Sequence, residues 1–340
     1  MLVSLLVLLL FGGLQAKPVD VNTAKNLGIK FMNANTEIRS TTADLVYTAY
    51  TDNDEACFYV FAMKPKGFVI VSADDRAKPI LGYSTESGFS SDEIADGLQS
   101  FFNNYRAGFT QMMESNEDRT AEAIRDWERL TATGKINDTK ITRTVPKMLT
   151  TIWNQSALYN DLCPEDTLGP NGRVYAGCVA TAMAQIMNYW QWPQRGVGMH
   201  TYTAYPYGDL SVDFEARDYR YDMMPDYLDW TSTPEEVYAV ARLQYHAGVS
   251  VDMNYSPNGS GAASQSVPDA LSMFFRYEES NMELKYLYWY SSSEWDYMLR
   301  ENLDGGMPLY YSAQGEDGGH AFVCDGYDDN NMFHFNWGYL

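Results

Sequence analysis

Few residues in this sequence could do covalent chemistry. There are four cysteines, Cys57, Cys163, Cys178 and Cys324, and four histidines, His200, His246, His320 and His334. Cys178 follows Tyr175-Ala176-Gly177 and opens an apolar run with helical spacing, Val179, Ala182, Met183, Ile186 and Met187. A thiol at a helix N-terminus meets the positive end of the helix dipole, which favours the thiolate. Gly177 permits a tight turn and leaves room beside the sulfur. An arbitrary cysteine is more often a small buried hydrophobe, and only the helix-start position sets Cys178 apart. Of the histidines, His246 falls near the end of an amphipathic helix, where a cation is favoured. His200 falls in a Gly- and Tyr-rich loop, and His334 between two phenylalanines of a strand. His320 is the candidate base. It follows Asp317-Gly318-Gly319 and starts the apolar strand Ala321-Phe322-Val323, so it can project from a turn towards a helix start.

A nucleophilic cysteine on a helix and a later histidine on a strand is the order used by papain-like hydrolases. The imidazole then needs an orienting group. Asn336, directly before Trp337, is the candidate: its amide oxygen would take the Nδ1 proton and leave Nε2 facing the sulfur, with Trp337 shielding the pair.

The elements that must position these groups fall into two units. Residues 20–35 read as a helix, and Leu45–Thr51, Cys57–Met63, Phe68–Ser72 and Ile80–Tyr83 as short strands. Residues 91–114 and 118–131 read as further helices. A polar, aperiodic stretch at 133–144 reads as a linker open to proteolysis. The second unit, 145–340, starts with the Cys178–Trp190 helix. Thr233-Pro234-Glu235-Glu236 is a capping box opening a helix that stops at Gly248, and Ser291 to Glu294 opens another. Strands at Pro308–Ala313, His320–Tyr327 and Met332–Trp337 close the chain. Helices followed by antiparallel strands give an α+β class.

Composition bounds the function. A chain of 340 residues with 45% apolar content is long enough for two cored domains. A net charge of −21 argues against nucleic acid or anionic membrane as partners. Four scattered cysteines are too few for a disulfide framework, although a Cys163–Cys324 bridge stays open. No His/Cys cluster or His-Glu-x-x-His motif suggests a metal, and no cofactor is expected. Residues 1–16 read as a signal peptide cleaved after Ala16, without the usual basic start.

Taken together, these motifs resemble the streptopain family of papain-like cysteine peptidases. Gly177-Cys178-Val179-Ala180-Thr181-Ala182 with Ala184-Gln185-Ile186-Met187 is similar to that family's nucleophile helix. Gly319-His320-Ala321-Phe322-Val323, Asp325-Gly326-Tyr327 and Phe333-His334-Phe335-Asn336-Trp337-Gly338 resemble its histidine segment. Trp153-Asn154-Gln155 with Tyr159-Asn160 resembles the start of its mature enzyme, and Gly67 to Asp75 its propeptide. Val251 to Tyr255 with Gly259 to Ala262 is similar to its stretch near the substrate cleft.

The resemblance implies a papain-like fold at 145–340 and an inhibitory propeptide at 17–132. It implies a secreted bacterial endopeptidase, extracellular or periplasmic, acting on proteins or peptides. Cys178 would be nucleophile, His320 base and Gln155 an oxyanion donor beside the Cys178 N–H. Asn336 and Trp337 would hold the imidazole, and Ser260, Gly261 and Gly319 would line the cleft. The family continues past Asn-Trp-Gly with a further Trp, Gly-Gly and more strands, so the resemblance also implies a domain incomplete at its C-terminus. The alternatives are a catalytically impaired relative that binds or inhibits a protease, and a Cys–His amidase acting on cell-wall peptides.

Overall fold

The computed structural model describes residues 16–91, 94, 96–115, 118–136, 143–315 and 318–339. The expected signal peptide, the middle of the expected linker, Asp317 and Leu340 therefore lie outside the described residues, save Ala16. The chain divides into two compact units, one built on the described residues through Ile94 and from Phe101 to Ile136, the other on those from Arg143 with Asp96–Ser100.

The N-terminal unit is a sheet with helices on both faces. Helix α1 (Val21–Asn35) is capped by Asp20, whose side chain accepts from the N–H groups of Asn22 and Thr23. Strands β1 (Ala43–Tyr50), β2 (Ala56–Met63), β3 (Phe68–Ser72) and β4 (Ile80–Ser84) form an antiparallel meander in chain order. Side chains alternate across a sheet, so Phe58 and Phe61 of β2 face opposite ways. Gly28 of α1 lies over Val69, Val71 and Phe61, and a methyl group there would come within 2.8 Å of Val69. On the other face, helix α2 (Asp96–Glu114) packs Phe102 and Phe109 onto Phe58, with ring centroids 5.0 and 6.5 Å apart. Helix α3 (Ala121–Thr133) packs against α1 and ends at Gly134, whose φ of 78° is the left-handed stop expected of glycine.

The C-terminal unit is built around helix α4 (Cys178–Trp190). Every residue from Val179 to Met187 is buried, so this stretch of the helix has no solvent face to pattern. One side meets helix α5 (Pro234–Ser250), which starts in the expected capping box. The other side meets a three-stranded antiparallel sheet, ordered β7 (Leu309–Gly315), β8 (Gly318–Tyr327), β9 (Phe333–Asn336). Helix α7 (Ser292–Asp304), with its own capping box, packs on that sheet.

Two elements escaped the sequence reading. The hairpin of β5 (Met199–Ala204) and β6 (Gly208–Asp213) occupies what read as a loop, and α6 (Val267–Phe275) follows it in the chain.

Candidate active site

Cys178 is the first residue of α4, and Gly177 before it adopts φ 92°, ψ 140°. That conformation is open to glycine and strained for other residues. Space imposes the same choice: a Cβ on Gly177 would come within 2.7 Å of the Met253 Sδ and Cε atoms and 3.1 Å of the Ser260 carbonyl oxygen. The N–H groups of the first helical turn lack helical partners, so they offer donors beside the sulfur.

The segment before Gly177 lies against Gln155. The Ala176 N–H donates to the Gln155 carbonyl oxygen at 2.9 Å. Asn154 fixes the local turn, since its Oδ1 accepts from the N–H groups of Gln155 at 2.6 Å and Ser156 at 3.1 Å. Its carbonyl oxygen in turn accepts from Gln244 Nε2 of α5 at 3.0 Å, and Gln244 Oε1 accepts from Thr181 Oγ1 of α4 at 2.9 Å. Gln155 is only 4% exposed, and its side-chain amide has no hydrogen-bond partner among the described residues. A side-chain amide of this kind carries two N–H donors.

His320 is buried on β8, opposite Ala313 of β7. Its Nε2 lies 2.8 Å from the carbonyl oxygen of Trp337. A carbonyl only accepts, so Nε2 carries a proton and donates it, and Nδ1 is the ring nitrogen not held by Trp337. This reverses the expected orientation, in which Nδ1 met Asn336 and Nε2 met the sulfur. The Asn336 side chain instead bonds Thr151, Gln185 and the Gly338 N–H. Its bond to Gly338 brackets the Trp337 peptide, so Asn336 bears on the imidazole through the Trp337 carbonyl. The Trp337 ring lies 4.5 Å from Phe322, and the imidazole stacks between Phe322 at 5.9 Å and Tyr339 at 5.3 Å.

Two contacts bring the cysteine and histidine segments together. Gly338 packs on Thr181, in the first turn of α4; a Cβ there would be 3.2 Å from Thr181 Cγ2. The preceding residue, Trp337, is the one that receives His320. Tyr310 of β7 is within electrostatic reach of the sulfur. Burial raises its phenol well above the ordinary range, the bond to Ser264 offsets part of this, and the Cys178 sulfur adds to the rise.

Ser260 flanks Gly177 through its carbonyl, while its hydroxyl bonds Ser256 within its own loop. Gly261 exchanges backbone bonds with Asn254. Gly319 immediately precedes His320 on β8, exposed and paired with Gln314.

The other candidates fall away from this site. No disulfide joins Cys163 to Cys324; both thiols are buried, and burial pushes each up to about 12. Cys57 is likewise pushed up to about 11. His246 was expected to be structural, near a helix end that favours a cation. It is structural, packed against Phe214 and Tyr219 with Nδ1 2.8 Å from the Tyr219 hydroxyl. Burial, helped by Arg242, lowers it to about 3, so it is neutral. His200 stands on β5 with Nε2 2.6 Å from Asp252, and His334 pairs with the buried Asp325 at 2.5 Å. Sequence reasoning missed Tyr339 and any role for Gln185. The only signal for either was proximity in the chain to Trp337 or Cys178.

A sequence model described as the peptidase C10 family matches residues 153–340, and one described as the Spi protease inhibitor matches residues 16–109. Thiol protease/hemagglutinin PrtT of Porphyromonas gingivalis is 33% identical over 364 residues, covering 98% of this chain. The chain spans only 39% of the length of that protein. Streptopain of Streptococcus pyogenes is 32% identical over 300 residues, 83% of this chain and 71% of streptopain. Among solved structures, a fragment of prointerpain A from Prevotella intermedia, a cysteine-to-alanine mutant, is similar with a TM-score of 0.73 and 32% identity over 88% of both chains. The active interpain A cysteine protease of the same organism is similar with a TM-score of 0.51 and 36% identity, over 60% of this chain and 86% of that one.

Proposed function

Because the chain belongs to the peptidase C10 family, with a papain-like fold preceded by a Spi-type domain, we propose that it is the precursor of a cysteine endopeptidase. Cys178 is its nucleophile and His320 its base. The observation that carries this reading is the Trp337-Gly338 turn. Its carbonyl receives His320 while its glycine packs on the first turn of the helix that Cys178 begins.

The chemistry follows from these positions. His320 Nδ1 takes the thiol proton, and the helix start favours the resulting thiolate. The sulfur attacks the scissile carbonyl carbon. The developing oxyanion accepts from the Gln155 amide and the Cys178 N–H, an interaction typically worth about 3 kcal/mol per donor in the transition state. The imidazolium then protonates the leaving amine, and a thioester remains. Water, activated by the neutral imidazole, hydrolyses the thioester and releases the acid.

The N-terminal unit is proposed as an intramolecular inhibitor. Its separate core around β1–β4 and its likeness to the Spi inhibitor support this. Division at the 133–144 linker would release the peptidase unit 145–340. Export with removal of residues 1–16 fits a thiol enzyme acting on external proteins or peptides.

The test is cleavage of an unfolded protein by the full chain after maturation, beside the Cys178→Ala chain. Peptide-bond cleavage blocked by an epoxide thiol reagent supports the reading. Hydrolysis of cell-wall peptides alone, or tight protease binding without turnover, would replace it with an amidase or an inhibitor.

A further inference from the structure

Gln185 lies about two turns along α4 from Cys178 and is 1% exposed. Its amide is satisfied from three directions. Oε1 accepts from Thr151 Oγ1 at 2.9 Å, from the Trp153 N–H at 3.2 Å and from Asn336 Nδ2 at 3.1 Å. Nε2 donates to Asn336 Oδ1 at 3.2 Å, so the two amides form a reciprocal pair. Asn336 Nδ2 also donates to the Thr151 carbonyl oxygen at 2.6 Å, and its Oδ1 accepts from the Gly338 N–H at 3.1 Å.

This amide therefore ties together three segments distant in the chain. Trp153 stands two residues before Gln155. Gln185 itself rides the Cys178 helix. Asn336 and Gly338 bracket the carbonyl that holds His320. From this geometry we infer that Gln185 is a positioning residue, setting the oxyanion donor and the imidazole in register with the nucleophile helix. The inference rests on the peptidase reading above. A buried amide that only held the fold would need partners, but these partners need not lead to all three reacting groups.

Hydrogen-bond chemistry gives a test that a general loss of packing would not mimic. In Gln185→Glu one carboxyl oxygen can still accept from Thr151, Trp153 and Asn336. The other faces Asn336 Oδ1, which cannot donate. An ionised carboxylate there is repelled, whereas a protonated carboxyl donates and restores the pattern. Burial raises the pKa of such a carboxyl, so protonation is within reach of mild acid. Gln185→Met removes both functions at similar length.

The experiment measures kcat and KM of the matured full chain, wild type and both variants, from pH 5 to 8, with circular dichroism in the same buffers. Gln185→Met is expected to lower kcat about 10- to 100-fold with KM little changed, the cost of displacing reacting groups by up to about 1 Å. Gln185→Glu is expected to approach wild-type kcat at pH 5 and to lose it as pH rises, giving a descending limb absent from the wild type while the protein stays folded. A variant-to-wild-type ratio independent of pH, or a loss that only follows unfolding, overturns the inference. A wild type with no peptidase activity overturns the functional reading beneath it, which separates the two failures.

Discussion

Replacing Gly177 by alanine tests how tightly the candidate nucleophile is held. The perturbation has two parts. At φ 92°, ψ 140° the added methyl forces a backbone conformation that costs a non-glycine residue about 1–3 kcal/mol. It also meets the Met253 Sδ and Cε atoms at 2.7 Å, and Met253 is fully buried, so its end must move into occupied space. Overpacking of this kind costs about 1–3 kcal/mol. A total near 3 kcal/mol leaves a typical domain folded, with its melting temperature lowered by roughly 6–12 °C. The strain can also be relieved by shifting the turn that carries Cys178, and a shift of up to about 1 Å costs about 100-fold in rate. The assay is calorimetry and peptidase turnover on Gly177→Ala beside the wild type. If Gly177→Ala kept wild-type melting and turnover, the argument that this glycine sets the nucleophile's position would be wrong.

Other outcomes follow from the same structure. His246 is neutral in the fold and lowered to about 3, against an ordinary value near 6.5. A base with a depressed folded pKa contributes fully above its unfolded pKa, and that contribution is lost as pH falls towards the folded one. The peptidase unit should therefore lose stability between about pH 6.5 and 3, and His246→Gln should flatten that slope in pH-dependent melting. Gly28→Val, which sets a side chain 2.8 Å or less from Val69, should destabilise the N-terminal unit by about 1–3 kcal/mol and shorten the lag before proteolytic activity appears. An unchanged lag would argue against that unit as inhibitor. N-terminal sequencing of the matured protein should place the activating cut between residues 133 and 147. A sole stable product starting within residues 45–115 would contradict that boundary.

Much of the fold was legible because its signals are local. Helix α4 announced itself through Gly177 before it and the helical spacing of Val179, Ala182, Met183, Ile186 and Met187 within it. The capping boxes at Thr233 and Ser291 gave the starts of α5 and α7 directly. The meander β1–β4 was legible from β-branched and aromatic runs between turn residues. The β5–β6 hairpin was not, since Met-His-Thr-Tyr-Thr-Ala is half exposed and carries no apolar stripe. Helix α6 is only nine residues long, and its Ser266 cap makes no side-chain bond. At the site, residue types and order pointed to Cys178 and His320, whereas Gln155 came only from its place before the Cys178 helix and the family resemblance. The orientation of the imidazole was not legible, because it depends on a backbone carbonyl at Trp337, which any residue could supply. Nor was the Gln185–Asn336 pair, since buried amides 151 residues apart leave no local pattern.

The most direct test of the central claim is the site of thiol modification in the matured full chain. Cys163 and Cys324, the other cysteines of the peptidase unit, are buried, with thiols each pushed up to about 12. Burial thus keeps each in the protonated form near neutral pH, and the thiolate is the reactive form. Limiting iodoacetamide followed by peptide mass spectrometry should place the label on Cys178, with peptidase activity falling in proportion, and His320→Ala should slow both. Labelling spread evenly over Cys163, Cys178 and Cys324, or full labelling of Cys178 with activity intact, would contradict the account.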